Sequence, residues 1–258
     1  MMNMTTRRPG YGWVPDLPDQ RDHPYAAPKP ILAALPAKVD LRPHCPPVLD
    51  QGQLGSCTAH AIANAHRFDQ MKQQASRVFL PSRLFIYYNE RAMEGSIDSD
   101  AGAQIRDGIK SIAKQGVCPE EQWPYDIALF ARKPPARAVR EALKHQALAY
   151  QRLRQTLGQM KGCLAAGYPF VFGFSVYESF ESAMVAKTGK VPLPRLREKS
   201  LGGHAVLAVG YDDAKQALIV MNSWSEKWGR NGYFTLPYSY VTDSNLAADF
   251  WTVRIVEV

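Results

Sequence analysis

Cys57, His204 and Asn222 are the residues of this 258-residue chain whose types and settings would make a covalent catalyst if the fold brought them together. A cysteine attacks as thiolate, and an ordinary thiol, with pKa about 8.5, is mostly protonated at neutral pH. Cys57 follows Gln51-Gly52-Gln53-Leu54-Gly55-Ser56 and opens the stretch 58–68, Ala-rich and free of Gly and Pro. That pattern predicts a helix with Ser56 as N-cap. The thiol then lies in the first turn, where unpaired N–H groups and the helix dipole favour an anion. A neighbouring imidazolium would complete the stabilisation, leaving the pair as thiolate and protonated ring. His204 follows Gly202-Gly203 at the start of an apolar run ending at Tyr211-Asp212, and Asn222 ends the next run; both read as strands. The amide oxygen of Asn222 would hold the ring's second nitrogen. The Gln51 amide, with the Cys57 N–H, would form a donor pair for a tetrahedral oxyanion. Each has a plainer reading: a small buried thiol, a core histidine, a turn asparagine, a solvated glutamine. Four such residues in one constellation favour the chemistry.

The elements that must position them divide the chain. Over 39–125 the patterns are helical: the Cys57 helix, then 80–94 with Pro81 and Ser82 at its start, then 103–115 closed by Gly116. From about residue 170 the runs 170–177, 204–211, 218–222, 233–236 and 250–256 are rich in Val, Ile, Phe and Tyr with Gly/Asp turns between them. A helical lobe at about 39–125 followed by a β lobe at about 126–258 is an α+β arrangement. With the thiol on one lobe and the imidazole on the other, the site would lie in the cleft between.

Residues 51–59, 202–211 and 222–233 resemble the three signature blocks of the papain-like cysteine peptidases, in order and at matching distances. The similarity runs from about residue 36 to the end, and its overall pattern is similar to the short bacterial forms of the family. Asp100-Ala101-Gly102 is similar to the glycine segment that walls the substrate cleft, and 115–125 to the segment ending in Tyr-Pro-Tyr. The resemblance implies a two-lobe fold, with a helical lobe carrying Cys57 and an antiparallel β-barrel-like lobe carrying His204 and Asn222. It implies a cysteine endopeptidase that hydrolyses protein or peptide substrates through a thioester acyl-enzyme, with Cys57, His204, Asn222 and Gln51 catalytic. Gly102, Gly173, Gly202, Gly203 and Trp224 would bind substrate: Gly102, Gly173 and Gly202 match the walls of the family's S2 subsite, and the tryptophan after Asn-Ser shields the Asn/His bond from water. The chain departs from the family at Leu54, where a cysteine is usual, at Thr58, where an aromatic is, at Gly203, and at Ser225, which replaces a glycine. An acyl transferase or peptide ligase using the same triad, and a latent binding module blocked by its amino-terminal segment, are the alternative functions.

That segment has a texture of its own. Residues 1–38 hold seven of the 19 prolines, a density no helix survives. They are expected to form an extended strap partly covering the cleft, anchored by Tyr11, Trp13 and Tyr25, or else a disordered leader. The chain is 46% hydrophobic and 21% charged, enough to bury a full core. It has no run of 18 apolar residues to span a membrane and no apolar stretch behind its charged start. A cytoplasmic setting is favoured on that ground, although removal of an upstream signal would leave the same sequence. With Cys57 free, the other three cysteines form at most one bridge, and sparse cysteine fits a reducing compartment. His60 and His66 are six apart, not four, and no Cys-x-x-Cys or phosphate loop occurs, so neither metal nor cofactor is expected. Eight Lys/Arg against Glu141 make residues 132–161 strongly basic. Without aromatic interleaving this reads as a solvated helix face ahead of a docking site for an anionic partner. A monomer is expected.

Overall fold

The computed structural model describes residues 10–257; the charged start of the chain and Pro9 lie outside them. Among the described residues eight helices follow one another as α1 (Lys29–Ala33), α2 (Cys57–Lys72), α3 (Arg83–Glu94), α4 (Ile105–Lys114), α5 (Ala136–Ala142), α6 (Leu157–Ala165), α7 (Ala183–Thr188) and α8 (Tyr238–Thr242). Nine strands accompany them: β1 (Trp13–Val14), β2 (Lys38–Asp40), β3 (Ala103–Gln104), β4 (Ala147–Arg152), β5 (Phe170–Tyr177), β6 (Ser200–Asp212), β7 (Ala217–Met221), β8 (Tyr233–Pro237) and β9 (Ala247–Val256).

Seven strands form one sheet in the order β4-β9-β5-β6-β7-β8, with β2 added antiparallel to the far end of β6. All its pairings are antiparallel. The expected barrel-like lobe is an open sheet: β4 and β8 stand at opposite edges and do not pair. Each central strand faces two cores, which explains the near-continuous apolar runs. Along β5, Phe170, Phe172, Phe174 and Val176 enter a cluster with Phe234, Tyr240 and Phe250, while Val171 turns to the other face. Along β6, Ala205, Leu207 and Val209 join the helix-side cluster and Val206 and Ala208 the outer one.

The helix α2 is buried on nearly every side, from Cys57 to His66 without a break. A helix apolar or small all round belongs inside a molecule, and its alanines let it lie close to the sheet on one side and to α3 and α4 on the other. Leu84, Ile86, Ile105, Ile109 and Ile112 fill the space between, each fully buried and each contributing about 1.5–3 kcal/mol on leaving water. The expected lobe boundary at residue 125 is blurred in two places. Beyond it, α5 sends Ala138 and Ala142 into the helix-side cluster, while β9 crosses back with Trp251 and Val253.

The helix ends follow their capping chemistry. Ser82 caps α3 through Oγ, which accepts from Phe85 N at 3.2 Å. After α4 the chain reverses through Gly116 at φ +70°, where a Cβ would lie 1.7 Å from the Ala142 carbonyl oxygen. Ser56 departs from its expected role. It occupies the N-cap position of α2, but its hydroxyl turns away to Tyr125 Oη at 2.6 Å and makes no cap bond. The first-turn N–H groups of α2 thus stay available to another acceptor.

Candidate active site

The thiol, the imidazole and the amides expected to work together do meet where α2 abuts the sheet. Ala205 N donates to Cys57 Sγ at 3.3 Å, which sets the sulfur against β6 one residue beyond His204. His204 lies inside β6 rather than at its head, because Gly203 and Gly202 continue the ladder opposite Ser175 and Val176 of β5. Its Nε2 donates to Asn222 Oδ1 at 2.8 Å. Asn222 Oδ1 also accepts from Ser223 N at 2.8 Å, so the oxygen is fixed from two sides. With its proton on Nε2, the ring keeps Nδ1 as its basic nitrogen, and that atom makes no hydrogen bond among the described residues. The Trp224 ring lies over the imidazole, centroids 4.9 Å apart and planes 31° apart, and Trp228 packs edge-on against Trp224.

Gln51 is wholly buried beside them. Its Oε1 accepts from Ser223 Oγ at 2.6 Å, and its Nε2 donates to Leu54 O at 2.9 Å and to Gly10 O at 3.0 Å. Tyr125 Oη donates to Gln51 O at 2.8 Å and meets Ser56 Oγ, so the segment similar to Tyr-Pro-Tyr buttresses the loop that carries Gln51 and Cys57. Thr58, in place of the family's aromatic, donates to the buried Glu90 Oε2 at 2.8 Å.

The Gly10 contact belongs to a longer one. Gly12 O accepts from Ala103 N at 2.7 Å, and β1 pairs parallel with β3 from Trp13 onward. Tyr11 stands edge-on to His204 and near Trp224, both at 6.2 Å between centroids, and donates its hydroxyl to Glu181. The four glycines expected to bind substrate, three of them as pocket walls and Gly203 beside them, are all in contact with this segment. An added Cβ would come within 2.2 Å of Gly12 O at Gly102, 2.0 Å of the Trp13 indole at Gly173, 2.9 Å of Tyr11 at Gly202 and 2.5 Å of Trp13 O at Gly203. Farther along, Asp16 accepts from Arg106 N at 3.0 Å and from Trp251 Nε1 at 2.9 Å. Asp22 takes Arg106 and Arg152 together, at 2.6 and 2.9 Å. Tyr25 is buried against the sheet, with its N–H bonded to Arg152 O at 2.8 Å.

Burial sets the electrostatics under this cover. Desolvation pushes the Cys57 thiol up to about 12 although the N–H groups of Ala205, Gly12 and Thr58 lean on the sulfur, and pushes the His204 imidazole down to about 4 against the help of Asn222. Burial favours a neutral thiol and a neutral ring, against the ionised pair expected from the sequence.

Several residues escaped the sequence reading. Ser223, which holds Gln51, was legible only as part of the Asn-Ser-Trp triplet. Asp249, whose Oδ2 accepts from Trp13 Nε1 at 3.1 Å, lies in the stretch 247–249 where the family resemblance puts the residue that closes the glycine-walled pocket, although no motif singles out which residue that is. Glu90 is a charged residue inside a helical pattern whose buried face cannot be read from spacing. All four cysteines are free thiols, and Cys118 and Cys163 are buried. Of the basic stretch, Arg152 is tied to Asp22 and Asp249, Lys161 to Asp213 and Lys144 to Glu141, so three of its charges are paired within the molecule. No helix among the described residues is long and apolar enough to cross a membrane.

The family model described as Papain family cysteine protease matches residues 35–251. An uncharacterized peptidase C1-like protein of Acanthamoeba polyphaga mimivirus is 45% identical over 279 aligned residues, covering 99% of this chain and 90% of that protein. Cathepsin B-like CP3 of Giardia intestinalis is 30% identical over 239 residues, covering 82% of this chain and 73% of that one. Among solved structures, that of xylellain, a cysteine protease from Xylella fastidiosa, superposes with a TM-score of 0.90 at 44% identity, covering 96% of this chain and 97% of the other. Digestive procathepsin L 3 of the Tenebrio molitor larval midgut shares the fold at 20% identity and a TM-score of 0.73, covering 95% and 76%.

Proposed function

This chain belongs to the papain family of cysteine proteases and is a peptide-bond hydrolase of papain-like fold, and on that premise we propose that Cys57, His204, Asn222 and Gln51 carry the reaction and that residues 10–38 hold it latent. In the open enzyme His204 Nδ1 takes the Cys57 proton. The thiolate adds to the scissile carbonyl, the oxyanion is held by Gln51 Nε2 and the Cys57 N–H, and the imidazolium protonates the leaving amine as the C–N bond breaks. Water, deprotonated by His204, then splits the thioester and restores the thiol. Asn222 keeps the ring in the tautomer this requires. The observation that carries the assignment is the fixed Nε2–Oδ1 bond of 2.8 Å on a strand whose next N–H donates to the sulfur.

The strap supports a latent rather than an idle enzyme. Its Gly10 carbonyl takes the Gln51 donor assigned to the oxyanion, Trp13 fills the glycine-walled pocket, and its presence dehydrates the pair that must ionise. Gly102, Gly173, Gly202, Gly203 and Trp224 become substrate-binding once it withdraws.

The test is labelling of the full-length chain with a thiol-directed epoxide alongside cleavage of a quenched peptide. A single adduct at Cys57, absent from Cys57→Ala, and peptide products lengthened only by water are expected. Labelling at Cys45, Cys118 or Cys163 instead would remove Cys57 from its role. Products joined to an added amine in preference to water would favour the acyl-transfer alternative.

A further inference from the structure

The residue that follows the nucleophile is held from another helix. Thr58 is the second residue of α2, and its Oγ1 donates to Glu90 Oε2 on α3 at 2.8 Å. The N–H of the same residue leans on Cys57 Sγ, as do those of Ala205 and Gly12. The first turn of α2 has no side-chain cap, since the Ser56 hydroxyl goes to Tyr125. An uncapped first turn leaves its backbone donors without the partner that would fix them. The bond to α3 thus ties down, through a side chain, the turn that carries the sulfur.

The partner of that hydroxyl is sealed in. Glu90 is wholly buried, and its Oε1 makes no hydrogen bond among the described residues. Helix α4 presses on it at Gly108, where an added Cβ would lie 2.2 Å from Oε1 and 2.3 Å from Ile62 Cδ1. The charged groups that act on it are Glu94, Arg91 and Asp107. Arg91 spends its guanidinium on the carbonyls of Tyr87, Ile97, Ser99 and Phe130, and the other two are acids. A carboxylate enclosed with neither a cation nor a second donor is costly, so Glu90 is a neutral acid. Burial holds its ionisation well above the usual carboxylate range. Neutrality suits the reaction, because a charge on Glu90 would oppose a thiolate at Cys57.

We propose that Glu90 is a positioning residue of the nucleophile, acting through Thr58 to hold the first turn of α2 and with it the Cys57 sulfur and N–H. The proposal rests on the peptidase reading above, in which that N–H faces the oxyanion. Thr58 stands where an aromatic is usual in the family, and the hydroxyl gained there is the one Glu90 takes. Without the bond, the N–H groups of Cys57 and Thr58 lose the tie that aims them, and small displacements of reacting groups slow an enzyme steeply. Both side chains are buried and their bond runs between α2 and α3, so the loss falls on kcat rather than on KM.

The test uses the full-length chain carrying Trp13→Ala, which loosens the strap, with a quenched peptide and a thiolate-selective alkylating reagent. Thr58→Val and Glu90→Leu each remove one end of the bond and should lower kcat about tenfold with KM within about twofold. The two losses should not add in the double variant. Thr58→Ser keeps the hydroxyl, and Glu90→Gln keeps an accepting oxygen; each should recover kcat to within about threefold of the Trp13→Ala chain. Glu90→Gln should also leave the pH profile of Cys57 alkylation unmoved, since a neutral amide replaces a neutral acid. The two ends are tested separately, so the answer does not depend on either variant folding. A kcat within about twofold in folded Thr58→Val or Glu90→Leu, additive losses, or Thr58→Ser no better than Thr58→Val overturns the proposal and leaves the peptidase reading standing. So does an alkylation profile that moves about one pH unit toward acid in Glu90→Gln, because the parent side chain would then be charged. No cleavage by the Trp13→Ala chain itself overturns the peptidase reading and this proposal with it.

Discussion

Trp13 is the strap residue whose loss should matter most, and its effect can be sized from its surroundings. Its indole is 9% exposed, lies flat on Gly173 and Gly203, and donates to Asp249. A tryptophan buries roughly 150–250 Å², which at about 25 cal/mol per Å² corresponds to about 4–6 kcal/mol. That is an upper bound, because alanine keeps part of the area and a free strap is not fully extended in water. The hydrogen bond to a carboxylate adds about 1.5–3 kcal/mol gross, partly recovered when water enters the emptied pocket. A net loss of about 3 kcal/mol from strap docking is a reasonable floor, equivalent to about a hundredfold in the open population. Trp13→Ala should therefore raise the second-order rate of Cys57 alkylation by about a hundredfold or more, limited only by the open fraction the parent already has. Far-UV circular dichroism should be unchanged, since the main core lies behind the cleft. An alkylation rate within threefold of the parent in a folded variant would refute the reasoning, because it would mean that the strap does not gate the sulfur.

The remaining expectations probe the strap's charge, the positioning bonds and one strained turn. Asp16 is pushed up to about 6 by its burial and then by the Asp249 carboxylate, whereas the undocked residue is an ordinary aspartate near 3.8. The docked form holds the proton more tightly, so docking is strongest in acid and weakens by at most about 3 kcal/mol as pH climbs from about 4 to about 6. Asp22 would be raised by its burial alone but is carried down by Arg106 and Arg152, so it acts in the opposite sense and only in stronger acid. Exchange of the Ala103 amide, bonded to Gly12 O, should lose about tenfold or more in protection between pH 5 and pH 7.5 after correction for its intrinsic rate; constant protection would contradict this. Ser223→Ala should lower kcat/KM about tenfold through kcat, with Ser223→Thr restoring part of it, because Gln51 loses the 2.6 Å bond that aims it. Asn222→Ala should cost about 10- to 100-fold in kcat with KM little changed; an effect confined to KM would remove Asn222 from ring positioning. Ser225 holds φ +63°, a left-handed conformation that glycine adopts freely, so Ser225→Gly should raise Tm by about 1–3 °C in a thermal melt.

The parts of this molecule that could be read from its sequence are those fixed by local chemistry. The Cys57 helix, the helix after Ser82 and the strand at 170–177 carry their period or caps in their own residues, and the structure has them as α2, α3 and β5. His204 and Asn222 could be paired because a triad needs an acceptor for its base and the strand pattern placed both at turns. What escaped depends on residues distant in the chain. The strand β4 has an ordinary alternation and is defined by pairing with β9, a hundred residues later. The sheet's openness depends on which strands stop short, which no local pattern records. Asp249 lies in β9, where a slip in that strand's own pairing with β5 sets it beside Trp13. Ser56 has the right type and place for a cap, yet a tyrosine 69 positions on outbids the helix for its hydroxyl.

The ionisation of the pair and the position of the strap are linked, and the sign of the link follows from burial. Under the strap, desolvation favours neutral thiol and neutral ring; opening admits water, and the first turn of α2 and the imidazolium can then hold a thiolate. On the proposed latent reading, covering and charging oppose each other, and each lowers the population of the other. A reagent that reacts only with thiolate reads this coupling directly. With the strap docked its rate should follow the open population, and with the strap weakened by Trp13→Ala it should follow the intrinsic titration of Cys57 and His204. The two pH profiles should consequently differ in shape as well as height. Profiles that superpose after scaling would mean that the strap blocks access without changing the charge of the pair, and would separate steric cover from the electrostatic effect argued here.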